Sequence, residues 1–124
     1  MKLENEKSVN SFMCAINGII RALRTEKHLR FDIFVAILMI VLGFALKINY
    51  VEWIACVLSI GIMIFAELIN TAIEYMVDLY TREKNEQAGR TKDISAGAVL
   101  ILSAAVSVVG LIIFAPKIYS LIVK

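Results

Sequence analysis

Apolar and polar positions along this chain fall into separate blocks. Phe31 to Ile48 is apolar except for Asp32 and Lys47 at its ends. A second block begins at Val51, stays apolar from Trp53 through Phe65, and continues at helical spacing to Tyr80. A third runs from Ile94 to Phe114. Roughly 17–25 apolar residues cross the hydrocarbon core of a bilayer as a helix. The first block is near the short limit, and Lys47 can snorkel to the headgroups. Ahead of them, Phe12, Ile16, Ile19, Ile20 and Leu23 recur at helical spacing, while Asn10, Asn17, Arg21 and Arg24 face elsewhere. That is the pattern of an amphipathic helix lying in the membrane interface. The chain is therefore expected to be all-α and integral to a membrane. It should have an interfacial helix over 10–29 and spans over 31–48 and 51–80, the second running on into water. A tight turn at Lys47-Ile-Asn-Tyr50, a polar loop over 81–93, and a third span over 94–115 ended by Pro116 complete the pattern.

Composition narrows the class. Of 124 residues, 60% are hydrophobic and 19% charged, and the mean hydropathy is +0.79. One domain is expected at this length. A disordered chain, a disulfide-stapled secreted module and most soluble enzymes are excluded. Cys14 and Cys56 have neither metal spacing nor a disulfide framework and read as packing residues. The net charge of +2 suggests no nucleic-acid footprint; where the charges lie is more informative. Ten of the 13 Lys and Arg fall in the N-terminal segment and in 81–93, which places both on the cytoplasmic side. Tyr50, Trp53 and Tyr119 then mark the outer boundary as an aromatic belt. No signal-peptide h-region follows the polar first residues, so the N-terminus is expected inside and the C-terminus outside. Ser103 and Ser107 form a small-xxx-small pair that lets helices approach closely. Three spans are too few to enclose a site alone, which favours a homo-oligomer.

Glu67, Asn70, Glu74 and Asp78 carry the candidate chemistry. At about 100° per residue they share roughly an 80° arc of one helix face. Counting about 20 residues inward from Trp53, Glu67 lies at the inner edge of the membrane, with Glu74 and Asp78 in the headgroup zone. Ionisable groups at such depth are costly and usually mark a site or a relay. For Asp78, an exposed helix end paired with Arg or Lys of the following segment is an equally good reading. Carboxylates beside a basic segment suit Mg²⁺ and phosphate chemistry, since Mg²⁺ takes one or two carboxylates, waters and phosphate oxygens. There is no G-x-x-x-x-G-K-[ST] sequence, so a nucleotide site would not be a P-loop. Two other readings stay open. One is an oligomeric transporter with Glu67 as relay, although Leu58 to Phe65 offers only Ser59 as a polar step. The other is a non-catalytic partner whose polar face joins helices.

The string Glu67-Leu-Ile-Asn70-Thr-Ala-Ile-Glu74-Tyr-Met-Val-Asp78, followed by Ala88-Gly89-Arg90-Thr91-Lys92-Asp93, resembles the two signature blocks of the prokaryotic diacylglycerol kinase family. These are small membrane lipid kinases that include undecaprenol kinases. The resemblance covers nearly the whole chain. It implies ATP- and Mg²⁺-dependent phosphorylation of a membrane lipid alcohol by a homotrimer in a bacterial cell membrane, with sites facing the cytoplasm. Glu67 would be the general base. Asn70 would orient the acceptor, and Ala96 would contact it. Glu26 and Glu74 would hold Mg²⁺ on the ATP phosphates, and Glu83, Lys92 and Asp93 would bind the nucleotide. His28 and Asp32 depart from the family pattern, and no role follows for either. The Val51-Glu-Trp53 start of the second span and the Leu111-to-Tyr119 ending resemble the Gram-positive branch. That implies undecaprenol as acceptor, with diacylglycerol the alternative.

Overall fold

A computed structural model describes residues 2–123, with side chains from Asn10 onward. Lys2, Lys7 and Lys124, used in the charge count, have side chains outside the described residues. Four helices follow one another: α1 (Lys2–Thr25), α2 (Lys27–Ala45), α3 (Tyr50–Tyr80) and α4 (Glu86–Ile122). The last three are long and apolar enough to cross a membrane. At about 1.5 Å per residue, α3 is roughly 46 Å long and α4 roughly 55 Å, so both extend beyond a hydrocarbon layer of about 30 Å. α3 packs along much of α4 and along part of α2.

The joints explain the element bounds. Between α1 and α2 a single residue, Glu26, is extended (φ −95°, ψ 118°). The amphipathic helix expected to reach residue 29 therefore stops at Thr25, and Lys27 to Arg30 open the first span. α2 ends in a Schellman motif: Ile48 N–H donates to the Gly43 carbonyl at 3.1 Å, and Lys47 N–H to that of Phe44 at 3.3 Å. Lys47 takes the left-handed φ of 50° that this closure needs. Asn49 and Glu52 then start α3 with a capping box, each side chain accepting the other's backbone N–H. The membrane-side core sits against this turn: Ile48, Cys56, Ile113 and Phe114 are buried, with Trp53 and Leu42 packed on them.

Two expectations need correction. The polar stretch 81–93 is a loop only over residues 81–85. Asn85 caps α4 by accepting from Gln87 and Ala88 N–H, and Arg90 pairs with Glu86 one turn back. Polarity there marks a helix in water rather than a loop. Nor does Pro116 end the last helix, which continues to Ile122. A proline removes one intrahelical bond, and membrane helices tolerate this where neighbouring groups compensate. The acceptor left over is the Ile112 carbonyl; beyond it the helix is held to α3 by Lys117 Nζ, paired with Glu52 at 3.1 Å.

Most large apolar side chains on the spans remain exposed in the single chain, among them Phe34, Phe44, Phe65, Leu100 and Ile112. On a protein in water such a surface would aggregate; in a bilayer the acyl chains cover it. On α1, Phe12, Met13, Ile19 and Ile20 are likewise exposed, as an interfacial helix requires.

Candidate active site

Glu67 lies on the face of α3 turned into the bundle and is only 7% exposed. Its titratable neighbours come from three elements: His28 and Asp32 of α2, Glu74 of α3, and Glu26 at the α1–α2 joint. Asp32 Oδ2 is itself buried without a hydrogen-bond partner. From Asp32 a cavity of about 100 Å³ runs along α2, α3 and α4, lined by apolar side chains including Val35, Met39, Ile60 and Met63. Asp32 thus stands where an apolar crevice begins, with Glu67 one turn of α3 beyond Met63 on its wall.

One turn beyond Glu67, a short relay crosses between helices. Ser95 Oγ of α4 donates to Asn70 Oδ1 at 2.6 Å, and Asn70 Nδ2 donates to Glu74 Oε1 at 3.1 Å. A carboxylate can only accept, so this contact fixes the amide orientation. Glu26 is half-buried and accepts from the Tyr75 hydroxyl at 3.4 Å. Among the described residues no three His, Cys, Asp or Glu side chains converge to hold an ion, so the protein alone offers no cage. The hard oxygens of Glu26 and Glu74 suit Mg²⁺, which keeps waters and phosphate oxygens for its remaining positions.

One further turn along α3, Asp78 pairs with Lys92, the ion pair the sequence allowed for. They border a hollow of about 450 Å³ at the polar end of the α3–α4 hairpin, with Arg82, Glu83 and Lys84 also on its wall. Asp93 is exposed and does not line it. Ala96 is also exposed; its neighbour Ser95 is the residue that meets Asn70. The structure therefore gathers Glu26, Glu67, Asn70 and Glu74 on one side and Glu83 and Lys92 on the other, and leaves Asp93 and Ala96 at the periphery.

Sequence reasoning missed Ser95, Thr25 and Tyr75. Ser95 reads as one of many small residues on α4. Tyr75, about 100° round the helix from Glu74, lies outside the polar arc, and its partners lie 49 and 50 positions away. Only the fold brings them together.

A multi-pass helical membrane protein with a buried carboxylate at one end of its spans, next to a polar hollow walled by both acidic and basic side chains, is the class these features define. The sequence profile of the prokaryotic diacylglycerol kinase family matches residues 13–114, and the chain belongs to that family. It is 38% identical to undecaprenol kinase of Bacillus subtilis (strain 168) over 114 residues, 92% of this chain and 93% of that one. It is 32% identical to diacylglycerol kinase of Haemophilus influenzae over 101 residues, 82% of this chain and 86% of the relative. With diacylglycerol kinase of Escherichia coli (strain K12) it shares 30% identity over 84 residues, 68% of this chain and 69% of the relative. The chain is thus an enzyme, a membrane lipid kinase that uses ATP and a lipid acceptor. The transporter and non-catalytic readings fall away.

Proposed function

We propose that this enzyme phosphorylates undecaprenol at the cytoplasmic face of a bacterial cell membrane, with Glu67 as general base. The observation that carries the reading is the burial of Glu67 beside an apolar crevice that starts at Asp32. A lipid alcohol lying in that crevice would present its hydroxyl to Glu67 with its chain still among acyl chains. Glu67 accepts the hydroxyl proton while the oxygen attacks the γ-phosphorus. The bond from that phosphorus to the bridging oxygen breaks, and ADP leaves. Such positioned proton transfer contributes about 10²–10⁴-fold.

Asn70, held by Ser95, orients Glu74 and the acceptor. Glu26 and Glu74 hold Mg²⁺, which would neutralise charge developing on the β- and γ-phosphates. Lys92 and the Glu83 segment take the nucleotide phosphates and close the hollow on its cytoplasmic side. Asp93 and Ala96, outside the walls of the hollow and the crevice, would reach the nucleotide and the lipid from the periphery. The basic segments around this end favour the cytoplasmic orientation. A homotrimer is favoured because three spans are too few to enclose a site alone, and neighbouring copies would complete it.

Undecaprenol is preferred because the Bacillus subtilis relative aligns over nearly its full length. The names of the Haemophilus influenzae and Escherichia coli relatives favour diacylglycerol as the second reading. Purified enzyme in vesicles with labelled ATP and either lipid separates the two. Efficient labelling of undecaprenol with little of diacylglycerol is the expected result; the reverse preference overturns it.

A further inference from the structure

We propose that Tyr75 is a positioning residue that sets the carboxylate of Glu26 from across the bundle; this rests on Glu26 being a metal carboxylate. Glu26 is the lone extended residue between two helices, and no side chain caps the start of α2 at that point. The backbone of the joint is fixed from elsewhere. Leu29, in the first turn of α2, is 0% exposed. Arg30 Nη1 reaches back to two terminal carbonyls of α1, Leu23 at 3.1 Å and Arg24 at 2.9 Å, which would otherwise be orphaned at a helix end. None of these contacts orients the Glu26 side chain, which has three rotatable bonds of its own.

Tyr75 does. Its hydroxyl lies 2.8 Å from Thr25 Oγ1 and donates to Glu26 Oε1 at 3.4 Å. Either hydroxyl can donate across the 2.8 Å contact; in the arrangement that places the phenol proton on Glu26, the Thr25 hydroxyl donates to the phenol oxygen. That withdraws the Thr25 proton from the carbonyls of Arg21 and Ala22, which it otherwise reaches at 3.3 and 3.4 Å. Tyr75 immediately follows Glu74 in the chain. One residue of α3 thus supplies a carboxylate, and the next ties down the carboxylate contributed by the α1–α2 joint. Groups that orient metal ligands in this way commonly change metal affinity by about 10–100-fold when removed.

The test uses the full chain in lipid vesicles with a non-hydrolysable ATP analogue and Mn²⁺, its binding read by electron paramagnetic resonance. Tyr75→Phe keeps the ring and removes only the hydroxyl. It is expected to weaken Mn²⁺ binding about tenfold and to raise the Mg²⁺ concentration for half-maximal activity similarly, with kcat at saturating Mg²⁺ within about twofold. Glu26→Gln serves as the reference. Wild-type Mn²⁺ affinity in Tyr75→Phe, with affinity lost in Glu26→Gln, overturns the role of Tyr75 and leaves Glu26 in place. Unchanged affinity in both variants removes the metal assignment and the proposal with it. Should Tyr75→Phe fail to fold, Thr25→Val must show a smaller shift in the same direction that Thr25→Ser restores; no shift there also overturns the proposal.

Discussion

Ser95 on α4 donates to Asn70 on α3 across 2.6 Å, and Asn70 passes its own amide proton to Glu74. This is the shortest polar link between the two helices near Glu67, and it is part-buried. Removing one partner leaves Asn70 Oδ1 without its donor, at a cost of about 1–3 kcal/mol if nothing replaces it. Ser95→Ala is therefore expected to lower kcat by about five- to 150-fold where that cost falls on the transition state, since each 1.4 kcal/mol is tenfold. Steady-state kinetics at saturating ATP and lipid would show the change. A rate equal to wild type would mean that Asn70 needs no support from α4.

Glu67→Gln is the sharpest change at the reacting end. It preserves size and hydrogen bonding but cannot take a proton at the same position. A drop in kcat of about 10²–10⁴-fold is expected, with Mn²⁺ and nucleotide binding unchanged. Retained turnover would move the base elsewhere, Asp32 being the next buried carboxylate.

Lys92 and Asp78 should respond in opposite directions. Lys92→Met removes a cation from the wall of the hollow of about 450 Å³ and should raise KM for ATP at least about tenfold, the loss of one charge-assisted contact. Asp78 holds Lys92 in the free enzyme and competes with phosphate for it. A pair this exposed is worth about 0.2–1 kcal/mol, so Asp78→Asn should lower KM for ATP by up to about fivefold. A higher KM in Asp78→Asn would show instead that Asp78 positions Lys92 for the nucleotide.

Periodicity and charge made the spans legible because every membrane helix must be long, apolar and flanked by polar ends. The polar arc of α3 was legible for the same reason: Glu67 is conspicuous where hydrocarbon forbids charge. What the chain pattern hid were facts of joints and of partners. Residues 86–93 were expected to be loop because they are polar, although Asn85 followed by Glu86 is a helix-start signal. Pro116 reads as a stop only by a rule drawn from helices in water. Ser95, Thr25 and Tyr75 carry no distinguishing local context, and each becomes a site residue only through a partner at least 25 positions away.

Gly43 tests the opposite end of the molecule, where packing rather than chemistry is at stake. A Cβ added there would lie 2.8 Å from Trp53 Cη2, 3.0 Å from Cζ2 and 3.1 Å from Ile48 Cδ1. The indole cannot swing away cheaply, because its ring also packs on Phe44 with centroids 4.8 Å apart. Gly43→Ala gains about 0.8–1.0 kcal/mol of helix propensity but incurs about 1–3 kcal/mol of overpacking. A net loss of about 1 kcal/mol is expected, read as a lower melting temperature in detergent, with kinase activity unchanged at temperatures well below the melt. In a Trp53→Phe background the two closest contacts are removed and only the Ile48 Cδ1 contact at 3.1 Å, the far end of a flexible side chain, remains, so the same Gly43→Ala change should become less destabilising or stabilising by up to its propensity gain. Equal loss of stability in both backgrounds would show that Gly43 is required by the backbone closing α2, through its carbonyl bond from Ile48, rather than by the indole.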